Sequence, residues 1–561
     1  MKFRLLGAYD RVTGSCMHFK DEVTGLQFLV DCGQIQGERE DSDWNRGSFP
    51  FDAREQAFVL LTHAHADHCG NLPYLCAAGF LGDVVCTQET KELATVILND
   101  AAKFKGAAYS RGLHALRWRV LGPQNGAVFG PFHHVAKDVF VKAYPNGHLL
   151  GSVSLVLKFG PRDRQTTFTI TGDLGPDGNN EATQLLNKPR TVMPPSDYLV
   201  SEATYGDIVR HDRQSGRQER VAALVDLVRR MRTGEIERLI ICTFAQGRAQ
   251  EILSELCLLH QSHPALVAGI PVVLDSGLAV NINGVYAAHL GAMEMTPRGP
   301  RPRWVPRTTY EAFGLDPGIP ADVYRMNEVI HAVLGLTTET PTMPELAGWT
   351  RTLRVAQPGV SWGGVAGPGI VVAGGGMLDG GTANRYLESL YVDDKTTFVL
   401  TGYQAPGTNG HVLQTLADIA PDARAGFHEA LNLGRGIGMV PAERVRAGVT
   451  RLPGMSGHAD QSGLLESLFL KCDGRVRALA PTIFLQHGRP AAQLALADGI
   501  DTKARRLGVA SPKVVLTRTP GFFFDLDTND WAASDLTREQ ALELRVAVLE
   551  DENRRLRRRA A

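Results

Sequence analysis

The apolar run "AFVLL" at residues 57–61 ends in "THAHADH", so that His63, His65, Asp67 and His68 fall within six positions. A buried strand that delivers this much ionisable surface at its end has to compensate it, because a desolvated charge without a partner is costly. Histidines at i and i+2, with Asp-His at i+4 and i+5, do not share one face of a helix. They suit a loop that turns back on itself and aims side chains at two centres. Imidazole nitrogen combined with carboxylate oxygen points to zinc, or another borderline divalent ion, rather than to calcium or magnesium, with manganese kept as an alternative.

Four such ligands cannot complete two metal shells. Further donors stand where other apolar runs end: His148 in "YPNGHLLGSVSLVL", Asp173 in "FTITGDLG" and His487 in "PTIFLQHG". Each is a polar residue placed where a sheet delivers side chains to one edge.

A chain of 561 residues exceeds one core of ordinary size, so several domains are expected. From 1 to 204, short apolar strands alternate with Gly, Asp and Asn turns and with helical patches, which reads as an α/β domain with substantial sheet. From 205 to 440 the strands "RLIICTF", "IPVVLD", "GIVVAGG" and "TTFVLTG" are separated by long helical stretches, the rhythm of a mostly parallel sheet. Short strands return from 441 to 527, and 528–561 reads as a C-terminal helix. There Leu542, Leu549 and Leu556 recur every seven residues, with Val546 and Asn553 at the alternate seam positions. A short coiled coil pairing two chains and an amphipathic helix packed on its own domain both remain open.

Lys plus Arg is 59 against 60 for Asp plus Glu, so no global field draws the chain to a polyanion and any nucleic-acid surface must be local. The eight cysteines show no CxxC pair, which suits reduced thiols. The opening "MKFRLLGAYDRVTGS" turns polar too soon for a signal peptide, and no apolar run approaches the roughly 20 residues of a membrane span. A cytoplasmic address without a membrane partner is expected.

"THAHADH" resembles the HxHxDH signature of the metallo-β-lactamase fold, and "LVDCG", "GHLLGS" and "TGDLG" resemble its other motifs. The resemblance implies an αββα sandwich. It implies one metal held by His63, His65 and His148, a second by Asp67 and His68, Asp173 bridging them, and Asp31 steadying the histidine loop from behind. Two such cations can share a hydroxide nucleophile and offset the charge of a phosphorane-like transition state.

Fold alone does not name a substrate. "VSEATYGD", "CTFAQGRAQEIL", "IPVVLDSGLAV", "VVAGGGMLDGG" and "LTGYQAPGTNG" resemble, in order, landmarks of the β-CASP nucleases, whose second α/β domain is inserted into the first. That family includes the polyadenylation-site endonuclease subunit, ribonuclease J and compact prokaryotic ribonucleases. "MSGHADQSG" with His458 resembles motif B and "LQHG" with His487 resembles motif C, while Glu202 is similar to motif A.

The resemblance makes Asp67, His458 and Glu202 catalytic. His487 completes the second metal's shell, His458 acts at the leaving oxygen, and Glu202 orients it. It implies a two-zinc ribonuclease cutting single-stranded RNA in a groove between the domains, as an endonuclease, a 5′-exonuclease or both. It also leaves room for a homodimer through the β-CASP domain or the end helix. A DNA nuclease of the same superfamily is opposed by Glu202 and His487, and a non-catalytic scaffold by the intact motifs.

Arg248 opens a helix whose free N–H groups suit a phosphate. Arg298, Arg301, Arg303, Trp304 and Arg307 form a basic stretch with one aromatic, suited to backbone contact and base stacking. Three positions depart from the family pattern: the loop Gly374–Gly376 lacks serine, His411 stands where arginine is frequent, and Arg489 stands where an acidic residue is frequent.

Overall fold

The computed structural model describes the chain outside residues 38–41, 123–129, 162–163, 177–183, 211–212, 297–298, 338–340, 342, 357–367, 473–474, 518–520, 533–536, 538, 540–541, 544, 547–548, 551–552 and 554–561. At 213–215, 294–296, 299–301, 435, 472 and 475 it describes the backbone alone. The chain divides into two compact units. One comprises Met1–Asn180, Pro189–His211 and His458–Ala561, and the other Glu181–Lys188 and Asp212–Gly457.

Among the described residues, the first unit holds two large sheets and a two-stranded one, Phe469–Cys472 with Arg475–Ala478. One large sheet runs in the order Asp530–Trp531, Phe524–Asp525, Lys2–Gly7, Cys16–Lys20, Gln27–Val30, Gln56–Leu60, Asp83–Cys86, Arg117–Val120. The other runs Lys513–Leu516, Thr482–Gln486, Tyr198–Glu202, Thr166–Ile170, Val153–Phe159, Val139–Pro145, His133–Ala136. Alternate side chains of a strand face opposite sides, and the inward sets interlock: Phe3, Phe19, Phe28 and Phe58 of the first sheet meet Leu155, Phe168 and Phe484 of the second in one core. Phe168 lies 5.1 Å, centroid to centroid, from both Phe3 and Phe19.

Helices cover the outer faces. Pro490–Leu507 starts on a proline, ends on the left-handed Gly508, and packs Leu496 and Ile500 against Leu199 and Leu485 beside Leu464 of Gln461–Leu468. Gln88–Ala102, capped by the Thr87 hydroxyl, buries Leu93, Ala94 and Leu98. The result is an αββα sandwich.

Strand direction sets up everything that follows. Gln27–Val30, Gln56–Leu60 and Asp83–Cys86 are mutually parallel, as are Thr166–Ile170, Tyr198–Glu202, Thr482–Gln486 and Lys513–Leu516. Parallel neighbours bring their carboxyl ends to one edge, where open α/β sheets bind ligands. Asp31, the His63–His68 loop, Asp173, Glu202 and His487 all sit at or just after such ends.

The second unit is built on one parallel sheet in the order Leu353–Val355, Val272–Asp275, Gly369–Gly374, Arg238–Thr243, Thr396–Leu400, Gly448–Arg451. Its strands are nearly continuous apolar runs, as expected when both faces are covered. The unit ends later than the composition shift near 440 predicts, because Gly448–Arg451 pairs with Thr396–Leu400 as an edge strand. Its early segment is equally hidden from sequence. The amides of Leu185 and Leu186 donate to the Glu251 carboxylate, and the Thr309 hydroxyl donates to the Leu185 carbonyl.

The described residues between 539 and 553 are helical, with Leu542, Val546 and Leu549 exposed. Among the described residues no helix is long and apolar enough to cross a membrane.

Candidate metal centre

The strand Gln56–Leu60 runs straight into the histidine loop, and its neighbour Gln27–Val30 supplies the loop's anchor. Asp31 adopts φ +59°, a left-handed conformation that costs a non-glycine residue on the order of 1–3 kcal/mol. That turn sends its fully buried carboxylate under the loop. One oxygen accepts the Thr62 amide at 2.9 Å and the other faces His68 Nδ1 at 2.8 Å. Asp31 takes the Nδ1 proton of His68 as a hydrogen bond, which turns Nε2 toward the centre.

The Thr62 hydroxyl lies 3.0 Å from Asp31 and 3.1 Å from His63 Nδ1, and it fixes His63 in the same sense. Thr204 does this for His487, with its hydroxyl 3.0 Å from the His487 carbonyl and 3.1 Å from Nδ1. His487 is itself left-handed at φ +49° and is pinned by its amide to the Ala8 carbonyl. Thr62 and Thr204 were not singled out from sequence; the signal available was their place beside His63 and two residues after Glu202.

The nitrogens so exposed converge. His65 Nδ1 lies 3.2 Å from His63 Nε2 and 3.0 Å from His148 Nε2, and the Nε2 atoms of His68 and His487 are 3.2 Å apart. Asp173 stands between the two groups. Its Oδ2 is 3.5 Å from the Nε2 atoms of His63 and His148, and its Oδ1 is 3.3 Å from His68 Nε2 and 3.6 Å from His487 Nδ1. Asp67 reaches His487 Nε2 at 3.4 Å.

Burial depresses the pKa of His63, and that of His65 to about 4, so both rings are neutral near pH 7. Burial pulls His68 down as well, but Asp173 and Asp31 outweigh it and hold His68 well above the ordinary value. Burial opposes ionisation of Asp173, yet the surrounding histidines keep its pKa well below the usual carboxylate range.

A divalent metal fits this set. Asp173 Oδ1 is buried and accepts no hydrogen bond. The ring nitrogens of His65 and His148, and of His68 and His487, stand 3.0–3.2 Å apart, a spacing that requires a proton on one ring of each pair or a cation shared by both. His63, His65, His148 and Asp173 could hold one ion; Asp67, His68 and His487 could hold another, with Asp173 also close to His458 and His487.

Beside this cluster, His458 Nδ1 lies 3.1 Å from both carboxylate oxygens of Glu202. Glu202 is buried and held by the amides of Leu174 at 2.6 Å and Thr204 at 3.2 Å. His458 Nε2 faces Asp173 Oδ2 at 3.9 Å. Burial lowers the His458 pKa, and Glu202 and Asp173 together raise it further, to above the ordinary histidine value.

The loop also depends on one close approach. The carbonyl of Asp67 accepts the Ser15 amide, and a Cβ at Gly33 would sit 1.6 Å from that carbonyl oxygen. Gly33→Ala is expected to cost at least about 1–3 kcal/mol and to lower bound metal by displacing Asp67 and His68. An unchanged melting temperature and metal content would show that the contact does not matter.

The basic stretch behaves differently from its composition. Trp304 is 2% exposed and lies in the core, which corrects the expectation that it stacks on a base. Arg303 is half-buried, and Arg307 is exposed and pairs with Glu311 and Asp316. Arg298 lies outside the described residues, as does the side chain of Arg301. Arg248 is buried in the first turn of its helix.

Arg489 is exposed, 3.6 Å from Asp207. His411 lies in the helix Asn409–Thr415, capped by Thr408. In the glycine loop, a side chain at Gly375 would meet the Gly380 carbonyl at 2.2 Å, so serine cannot be accommodated there without movement.

Comparison with known proteins agrees with this arrangement. Residues 48–209 match the metallo-beta-lactamase superfamily, 249–413 the Beta-Casp domain, and 443–509 the Zn-dependent metallo-hydrolase RNA specificity domain. The chain is 28% identical to Ribonuclease TTHA0252 of Thermus thermophilus, covering 91% of this chain and 98% of that protein. It is 26% identical to the Transcription termination factor FttA of Methanothermobacter thermautotrophicus, covering 88% and 68%, and 26% identical to that of Lokiarchaeum sp., covering 91% and 70%. With the three domains in that order, on a sandwich whose strand ends gather these histidines and aspartates, the chain belongs to the β-CASP family of metallo-β-lactamase-fold ribonucleases.

Proposed function

We propose that the chain is a zinc-dependent ribonuclease that hydrolyses RNA phosphodiester bonds at this cluster. The observation that carries the reading is the Glu202–His458 pair, 3.1 Å apart, with the second ring nitrogen of His458 turned toward the carboxylate that lies between both donor groups. His63, His65, His148 and Asp173 would hold one ion and Asp67, His68 and His487, with Asp173, the other. When bound, such a pair supplies positive charge against the charge developing on the phosphodiester and lowers the pKa of the attacking water.

The chain's own groups do the rest. Glu202 holds the Nδ1 proton of His458, so the proton available for transfer sits on Nε2. The carboxylate's charge favours the imidazolium, the form that can protonate a departing ribose oxygen. Asp31, Thr62 and Thr204 keep the ligating nitrogens aimed without reaching the substrate. RNA rather than DNA is supported by Glu202 and His487 at motifs A and C and by the ribonuclease name of one relative.

The test uses 3′-labelled RNA carrying a 5′-triphosphate or a 5′-monophosphate, with matched DNA, and Asp67→Ala as control. Internal fragments from both RNAs establish endonuclease action. Mononucleotides from the monophosphate RNA alone establish a 5′-exonuclease. Cleavage of DNA alone, or equal activity in Asp67→Ala, would sink the proposal.

A further inference from the structure

The turn that follows Glu202 carries a cation without an anion. Arg210 is half-buried, donates from Nη1 to the His458 carbonyl at 3.2 Å, and stands with its guanidinium carbon 4.9 Å above the centre of the Tyr205 ring. Among the described residues no carboxylate lies within 4.0 Å of its guanidinium. The acid nearest in sequence, Asp207, faces Arg489 instead, at 3.6 Å.

The backbone fixes this cation beside His458. One oxygen of Asp460 accepts the Gly463 amide and caps the helix Gln461–Leu468, and the other accepts the Arg210 amide, each at 2.8 Å. Tyr205 pairs with Asp460 as a parallel bridge, and the Gln461 side chain donates to the Gly206 carbonyl at 2.7 Å. The Tyr205 ring lies edge-on to His458, 6.2 Å between centroids, so one aromatic side chain touches both the imidazole and the guanidinium.

A guanidinium braced on an aromatic face presents a planar fork of donors, the geometry that matches two oxygens of a phosphate. Between Tyr205 and Arg210, Ile208 and Val209 are 42% and 45% exposed, apolar surface on which a ribose or base can rest. A fork anchored on His458 lies on the side of the cluster from which the leaving group departs. Resting on the reading of His458 as the acid that protonates the departing ribose oxygen, we infer that Arg210 binds the next phosphate of the RNA on the far side of that ribose, with Tyr205 as the positioning residue that orients the guanidinium.

The test uses an RNA with one mapped cleavage site, and two versions in which the linkage on one side or the other of that site is an uncharged methylphosphonate, all with 2′-O-methyl ribose at those linkages. Neutralising the phosphate on the departing-ribose side should lower the parent's kcat/KM about tenfold, the scale of one charge-assisted contact. Arg210→Gln keeps a donor for the His458 carbonyl but no charge. It should lose about tenfold on the all-phosphate RNA, chiefly through KM, and nothing further on that methylphosphonate RNA. Arg210→Lys, a point charge without the fork, should fall between. Melting temperature and metal content near those of the parent confine the comparison to folded protein.

Parent-level kcat/KM in Arg210→Gln would overturn the inference. So would a loss confined to kcat with the methylphosphonate effect intact, which would make Arg210 only a brace for His458. A parent that cleaves none of these RNAs would instead overturn the ribonuclease reading itself, and this inference with it.

Discussion

Asp173→Asn is expected to lower kcat/KM for RNA cleavage by at least about 10³-fold, roughly 4 kcal/mol of transition-state stabilisation. The two oxygens of Asp173 face different sets of histidines, Oδ2 toward His63 and His148 and Oδ1 toward His68 and His487. Asparagine keeps one acceptor and turns the other position into a donor, which cannot bind a cation. It also removes the negative charge that the surrounding imidazoles stabilise. Elemental analysis of purified protein should show reduced metal, with circular dichroism confirming the fold. Parent-level cleavage with parent-level metal would show that Asp173 does not link the two donor groups.

His458→Ala should separate chemistry from metal binding. Loss of a positioned general acid typically costs about 10²–10⁴-fold in rate, and here metal content should stay near that of the parent, because neither the His63, His65, His148 and Asp173 group nor the Asp67, His68 and His487 group includes His458. Glu202→Gln provides the finer measurement. The carboxylate raises the His458 pKa, so removing its charge should move the alkaline limb of the pH–rate profile to lower pH. The sign follows directly: a less stabilised imidazolium loses its proton earlier as pH rises, and the acid form disappears sooner. An alkaline limb that stays in place in Glu202→Gln would assign that limb to another group.

Much of the histidine and aspartate cluster was legible because its members are chemically unusual where they stand. A histidine or aspartate at the end of an apolar run is visible in one dimension, and His63, His65, Asp67, His68, His148, Asp173 and His487 share that feature. Glu202 and His458 lie far apart in sequence, and only the ordered family motifs associated them. The supporting threonines were invisible, since a hydroxyl at a strand end is ordinary until its partner is known.

Composition misled at Trp304. The arginines and prolines around it read as surface, whereas burial of a single indole is decided by tertiary packing. The late boundary of the second unit was hidden for a related reason: Gly448–Arg451 is short and weakly apolar, and its membership is settled by strand pairing rather than by local pattern.

The interruption of the first unit by the second has a consequence for the living cell. The histidine loop and Asp173 leave the ribosome early, but His458 and His487 follow only after the whole insertion has been made. At roughly 5–20 residues per second, the roughly 300 intervening residues take on the order of 15–60 s. Throughout that interval the nascent polypeptide lacks His458 and His487, both of which face Asp173 in the folded unit. A chain that stops before His487 lacks a member of the Asp67, His68 and His487 group, so the candidate site can assemble only after the second unit has been synthesised.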